Sequence, residues 1–151
     1  AVIVTCSSLG PAVDAVRPLC PVPLFRIDDG MALEALGMGR RIGVLATLST
    51  TLDPTTELLK RRAAEAGRSV DVVSHLCEGA FGLLAAGDTK GHDARVLAGL
   101  RHIADRVDVV VLAQASMAGA LERAGAGEVT VPILTSPELG IQHCRAVLAA
   151  A

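Results

Sequence analysis

Six short apolar runs, most of them β-branched, alternate with segments of helical character along the chain, and this alternation is the strongest signal the sequence carries. The strand-like runs fall at residues 1–5, 23–27, 41–47, 69–75, 107–114 and 131–135, each bounded by Gly, Pro, Asp or Ser. Helices are predicted over 11–19, 30–36, 54–66, 93–106, 117–124 and 137–150, with a looser helical segment near 78–86. Asp53 before Pro54 supplies a capping carboxylate followed by a residue with no amide to lose, and Ser136 before Pro137 repeats the device. Gly67 and Gly125 stand where a left-handed residue ends a helix. Repeated strand–helix units require parallel sheet with right-handed crossovers, so the fold class is α/β, with helices flanking parallel strands.

Gly37-Met38-Gly39-Arg40-Arg41 reads as a hinge. It divides the chain into residues 1–39, part of a first α/β lobe, and residues 40–136, a second lobe; the helix within 137–151 is expected to return to the first. A site would then lie in the cleft between lobes.

Composition narrows this picture. Of 151 residues 51% are hydrophobic but only Phe25 and Phe81 are aromatic, so the core must be Val, Leu, Ile and Ala, as in sheets covered on both faces. A net charge of -2, no basic run and almost no aromatic surface exclude nucleic acid as the expected partner. No apolar run approaches the roughly 18 residues of a membrane span, and no charged leader precedes the first strand. Cys6, Cys20, Cys77 and Cys144 form no CxxC pair or metal-finger spacing, which reads as reduced thiols in a cytoplasmic protein. The chain opens inside a strand without an initiator Met, pointing to a preceding N-terminal portion or to removal of that Met. A homodimer stays open as an assembly.

In open α/β sheets ligands bind beyond the carboxyl ends of the strands. Three such ends carry chemistry. At Thr5-Cys6-Ser7-Ser8 a thiol meets a helix start, whose free amides favour the thiolate, and two hydroxyls stand beside it. An ordinary packing thiol with capping serines fits the same spacing, and spacing alone leaves both readings open. Thr47 and Thr50 place hydroxyls three apart at a second strand end, suited to an anion or to capping. Gln114-Ala115-Ser116 ends a third, where Gln114 is placed to bond a ligand or loop backbone. His75, His92, His102 and His143 do not cluster; His92-Asp93 and His102 are expected on a solvated helix face. No metal-ligand spacing is present, Lys60 and Lys90 sit in polar settings, and both G-x-x-x-x-G-K-[ST] and G-x-G-x-x-G are missing, so neither metal nor nucleotide cofactor is expected.

Val4-Thr5-Cys6-Ser7-Ser8, Ile42-Gly43-Val44-Leu45-Ala46-Thr47-Leu48-Ser49-Thr50 and Asp108-Val109-Val110-Val111-Leu112-Ala113-Gln114-Ala115-Ser116, in this order, resemble the aspartate/glutamate/hydantoin racemase superfamily over nearly the whole chain, minus the family's first βα portion. The resemblance implies two α/β lobes and a cofactor-independent site in which one cysteine removes a proton α to a carboxylate and another returns it from the other face. Cys6 matches the first cysteine. Ser7 and Ser8 stand where the family usually has Asn-Thr holding the carboxylate, and Thr47 and Thr50 match its paired threonines. The second cysteine is replaced: Ala113-Gln114-Ala115-Ser116 stands where the family reads Gly-Cys-Thr-His or Gly-Cys-Thr-Glu.

The expectation is a cofactor-free isomerase or racemase-like enzyme acting on a small amino or carboxylic acid, with Cys6 as acid/base or nucleophile and Ser7, Ser8, Thr47, Thr50, Gln114 and Ser116 around the substrate. A single-cysteine decarboxylase or lyase of the same superfamily, whose family cysteine lies in the other lobe, and a non-catalytic carboxylate-binding module, favoured by Gln114, are the alternatives.

Overall fold

A computed structural model of the chain describes residues 1–124 and 129–150. Its strands are β1 Val2–Val4, β2 Leu24–Arg26, β3 Arg41–Ala46, β4 Asp71–Leu76, β5 Val109–Leu112 and β6 Ile133–Thr135. Its helices are α1 Gly10–Val16, α2 Asp29–Met38, α3 Ser49–Glu65, α4 Ala80–Ala85, α5 Thr89–Ala104, α6 Ala118–Ala124 and α7 Ser136–Ala149. β1 and β2 form one parallel pair, Val2 opposite Leu24, and the other four strands form a parallel sheet in the order β4-β3-β5-β6. The α/β class with parallel sheet is therefore what the chain adopts.

β3 and β5 lie in the middle of the larger sheet and are buried on both faces, which is why their residues are apolar without alternation. Ile42, Val44, Val109 and Val111 point toward Met31, Ala35, Leu58 and Leu59 of α2 and α3. Leu45, Val110 and Leu112 point the other way, onto Val96, Leu100, Ile103 and Met117. Burying each such Val, Leu or Ile is worth roughly 1.5–3 kcal/mol, so the two apolar layers dominate the stability of this region.

Around β2 the interior is charged instead. Arg26 is 2% exposed; its Nε and Nη2 donate to the two Asp28 carboxylate oxygens at 2.9 Å each, and its Nη1 donates to Asp14 at 2.7 Å. Burial works against the Arg26 charge, but Asp28 and Asp14 outweigh it and hold the guanidinium above its usual pKa. Buried Asp29 accepts from Arg17 at 2.7 Å and from Arg62 of α3 at 2.6 Å. Arg61 of α3 also reaches Asp14, so two arginines of one helix tie it to the β1–β2 region. α7 packs against α2 through glycines: a Cβ on Gly30 would collide with the Leu139 carbonyl, and one on Gly140 with that of Ile27.

The starts of α3 and α7 differ from expectation. α3 begins at Ser49, and Leu48, not Asp53, is its N-cap, because the Leu48 carbonyl already accepts from Thr51 and Leu52 at 3.2 and 3.0 Å. Pro54 thus lies inside α3, where it offers no amide to the Thr50 carbonyl. Ser136 is the first helical residue of α7 rather than its cap, and Thr135 holds the extended cap position. Gly67, at φ 64°, ends α3 as expected, with the Arg68 amide bonded to the Ala63 carbonyl at 2.8 Å; Gly125 falls outside the described residues. In the segment read as a hinge, Gly37 and Met38 continue α2, and Asp108 accepts from the Arg40 and Arg41 amides at 3.0 and 2.9 Å. Among the described residues no helix is long and apolar enough to cross a membrane.

Candidate active site

The same local device recurs at three strand ends. β1 runs into extended Cys6 and a 3-10 turn, Ser7–Leu9; β5 runs into extended Gln114 and a 3-10 turn, Ala115–Met117; β3 runs into extended Leu48 and α3. An extended residue after a strand followed at once by a helical turn turns the chain back over the sheet edge and leaves the linking residues at the mouth. None of the three caps its turn with its own side chain.

Cys6 is exposed, and its carbonyl closes the following turn by accepting from Leu9 at 3.0 Å. Ser7 is buried, Ser8 half-buried, and their turn packs against α3. Thr47 is buried and Thr50 exposed. The Thr47 amide donates to Gln114 Oε1 at 2.7 Å and its hydroxyl donates to the same oxygen at 2.9 Å. An amide N–H can only donate, which identifies the Gln114 atom as oxygen and turns the two Nε2 hydrogens the other way, free to donate to a ligand. Thr47 therefore spends both donors on Gln114. Ser116 is exposed in its turn. Apart from Thr47 and Gln114, no two of these predicted site residues are joined by a side-chain hydrogen bond among the described residues.

The other thiols differ in setting. Cys77 is buried, and burial pushes its thiol up to about 11, which keeps it protonated. It lies with His75, Glu78, Arg95 and His102 along an open groove beside β4. Cys144 is buried, and burial raises its pKa too. Among the described residues no three His, Cys, Asp or Glu side chains converge as metal ligands would.

One cluster near the strand ends departs from the sequence reading. His92 and Asp93, expected on a solvated face, are 0% and 6% exposed. α5 begins at Thr89, capped by Asp88 accepting from the Gly91 amide at 2.8 Å, so His92 is inside the helix and shares a face with Val96, Gly99 and Ile103. Starting the helix at 93 hid that period; starting it at 89 exposes it. His92 Nδ1 lies 2.9 Å from Asp93 Oδ1, and Arg123 of α6 grips Asp93 with Nε at 2.7 Å and Nη2 at 2.9 Å. The Arg123 bonds, with a smaller contribution from His92, hold the Asp93 carboxyl down at about 2 against its burial. Among the described residues, His92 Nε2 is buried with no hydrogen-bond partner.

The height of His92 along the sheet follows from α5 itself. A Cβ on Gly43 would meet Ile103, and one on Gly99 would meet Leu45, so moving back four residues along the helix advances two along β3. Helix and strand are antiparallel. His92, seven residues before Gly99, lies toward the end of α5 that is nearer the carboxyl ends of the strands.

A family model described as Asp/Glu/Hydantoin racemase matches residues 1–144. Glutamate racemase from Bacillus anthracis superposes with a TM-score of 0.73 at 18% identity, over 99% of this chain and 58% of that one. Allantoin racemase from Pseudomonas fluorescens gives 0.62 at 21%, over 91% and 57%, and arylmalonate decarboxylase gives 0.56 at 19%, over 96% and 67%. Against the first of these solved structures, the chain spans less than two thirds of the longer protein. No curated protein sequence matches it significantly. With its sheet order, its strand-end turns and a family match over nearly its whole length, the chain belongs to the Asp/Glu/hydantoin racemase family.

Proposed function

We propose that the chain carries a cofactor-independent proton-transfer site for a small amino or carboxylic acid, with Cys6 as the group that adds or removes the proton at Cα. The observation that carries this reading is the exposed Cys6 at the carboxyl end of β1, in a family whose solved relatives include glutamate and allantoin racemases. The substrate carboxylate would be held by donors from the strand ends: Ser7, Ser8, Thr50 and Ser116, together with the Gln114 amide that Thr47 orients. These donors meet the negative charge that grows on the carboxylate as the Cα proton leaves, which is where fixed dipoles lower a barrier most.

Gln114 favours a second reading. Its amide cannot exchange a proton at neutral pH, so a site with Cys6 as its sole acid would protonate one face of an enediolate left by loss of carbon dioxide, in the manner suggested by the arylmalonate decarboxylase likeness. Incubation in deuterium oxide with the enantiomers of glutamate, aspartate and allantoin, and with phenylmalonate, separates the two. Deuterium at Cα of an amino acid or allantoin, lost in Cys6→Ala, supports racemisation; carbon dioxide released from phenylmalonate alone supports the second reading. Inertness toward all of them, with Cys6 alkylated no faster than a free thiol, leaves only a binding module.

A further inference from the structure

We propose that the outer edge of β4 is a self-association surface, on which a second copy of this chain pairs its own β4 antiparallel and joins the two four-stranded sheets across a two-fold axis. This stands independently of the proton-transfer reading.

The two edges of the larger sheet are finished differently. β6 is three residues long and follows Pro132, and both features blunt an edge. β4 is six residues long and carries no Pro, Gly or Lys, and among the described residues no strand pairs with its outer side. The Asp71 and Cys77 amides donate to the Arg40 and Ala46 carbonyls, so the odd-numbered residues of β4 face β3. Backbone groups alternate along a strand, and Val72, Ser74 and Leu76 therefore turn their amides and carbonyls outward. An open groove runs beside this edge, with His75 on one wall and Arg95 and His102 of α5 on the other.

Charge selects the occupant. At one end of β4 the Asp71 side chain is exposed, and among the described residues its carboxylate has no hydrogen bond or ion pair. At the other end the His75 and His102 rings lie 4.9 Å apart, centroid to centroid. Burial, His102 and Arg106 hold His75 below its ordinary pKa, and among the described residues no carboxylate bonds to either ring. Val73 packs on the α5 side of the sheet, and by alternation Asp71 and His75 share that side. In an antiparallel pairing centred on Val73, Asp71 of each copy stands opposite His75 of the other, while Val72 and Ser74 exchange amide and carbonyl bonds across the seam. The Asp71–His75 positions are then non-hydrogen-bonded pairs, whose Cα atoms approach to about 4.5 Å and whose side chains meet. An in-register parallel copy would set Asp71 beside Asp71 instead. One strand thus carries both halves of the match.

A strand edge covers less than the roughly 1,200–2,000 Å² of a standard stable interface, so the dimer should be reversible, with a Kd of roughly 10–100 μM. Sedimentation velocity between about 5 μM and about 1 mM should show wild type passing from monomer to dimer. Asp71→Arg and His75→Glu should each weaken association by about 10-fold or more, because like charges then stand opposite at both ends of the seam. Mixing these two variants should restore a heterodimer, in which the introduced arginine faces the introduced glutamate. Ser74→Pro removes an outward amide without touching the ladder to β3, and should abolish association while circular dichroism stays that of wild type. Wild-type protein still monomeric at about 1 mM overturns the proposal and leaves the edge to a different chain. A dimer indifferent to all three variants, or a mixture that stays monomeric, overturns it as well. Should a variant not fold, amide hydrogen exchange of wild type decides: Val72 and Ser74 should be protected at the higher concentration and exchange freely at the lower, and equal exchange overturns the pairing.

Discussion

The region around β1 and β2 and the four-stranded sheet solve the same problem, joining strands to helices, with opposite materials. The larger sheet buries Ile42, Val44, Leu45 and Val109 to Leu112 at 0% exposure between two apolar layers. The smaller pair leaves Val2, Leu9, Val16 and Leu19 exposed and places Arg26, Asp28 and Asp29 in its interior. Apolar burial is non-directional and spread over many contacts, whereas a buried ion pair is stable only while each charge keeps its partner. The β1–β2 region, which positions Cys6, is therefore held by a few specific bonds, and the sheet that positions Thr47 and Gln114 is held by bulk packing.

The contrast can be broken most severely at Arg26. Arg26→Ala strands the buried Asp28 carboxylate and leaves Asp14 with Arg61 and Arg17, and we expect a loss of about 3–5 kcal/mol by chemical denaturation, recovered in part when Asp28→Asn is combined with it. In the apolar sheet, Leu112→Ala should cost about 2–5 kcal/mol through lost transfer energy and a residual cavity, with no such rescue by any charge change. An additive result for Arg26 and Asp28 would show that the network does not act as a unit.

Acid produces a smaller and more gradual effect. Asp108, held down at about 2 by bonds from the Arg41 amide and guanidinium, and Asp93, at about 2 through Arg123, are both depressed from an ordinary value near 3.8. The unfolded chain binds the proton first, so this contribution is complete above about pH 4 and is lost as pH falls toward 2. Thermal melts between pH 6 and 2 should show that decline, and Asp108→Asn should flatten it. Smallest of all, Leu19→Ser at an 84% exposed position should leave the unfolding free energy within about 0.5 kcal/mol of wild type. A large change there would mean that the exposed apolar residues of this region are covered in solution.

The two regions were unequally legible in the sequence. β3 and β5 stand out as apolar runs because burial on both faces permits nothing else. Arg26 carries no comparable signal: its partners are Asp28 two residues on and Asp14 twelve residues back, and only the fold shows that all three are buried. Asp53-Pro54 is a good local cap and predicts a later start for α3, yet the Leu48 carbonyl begins the helix five residues earlier. The candidate residues Cys6, Thr47 and Gln114 are legible from their strand-end positions, whereas the burial of His92 is not, because a polar pair at the edge of a predicted helix reads as solvated.

By itself the sequence determined the order of strands and helices, the parallel class and the strand ends where chemistry collects, since each follows from periodicity and turn residues within a dozen positions. Tertiary structure alone decided that Thr47 locks Gln114 from 67 residues away, that Arg123 reaches Asp93 across 30, and that His92 Nε2 finds no partner among the described residues. Hydrogen-bond satisfaction depends on which distant groups are brought within 3 Å, and no local pattern encodes that.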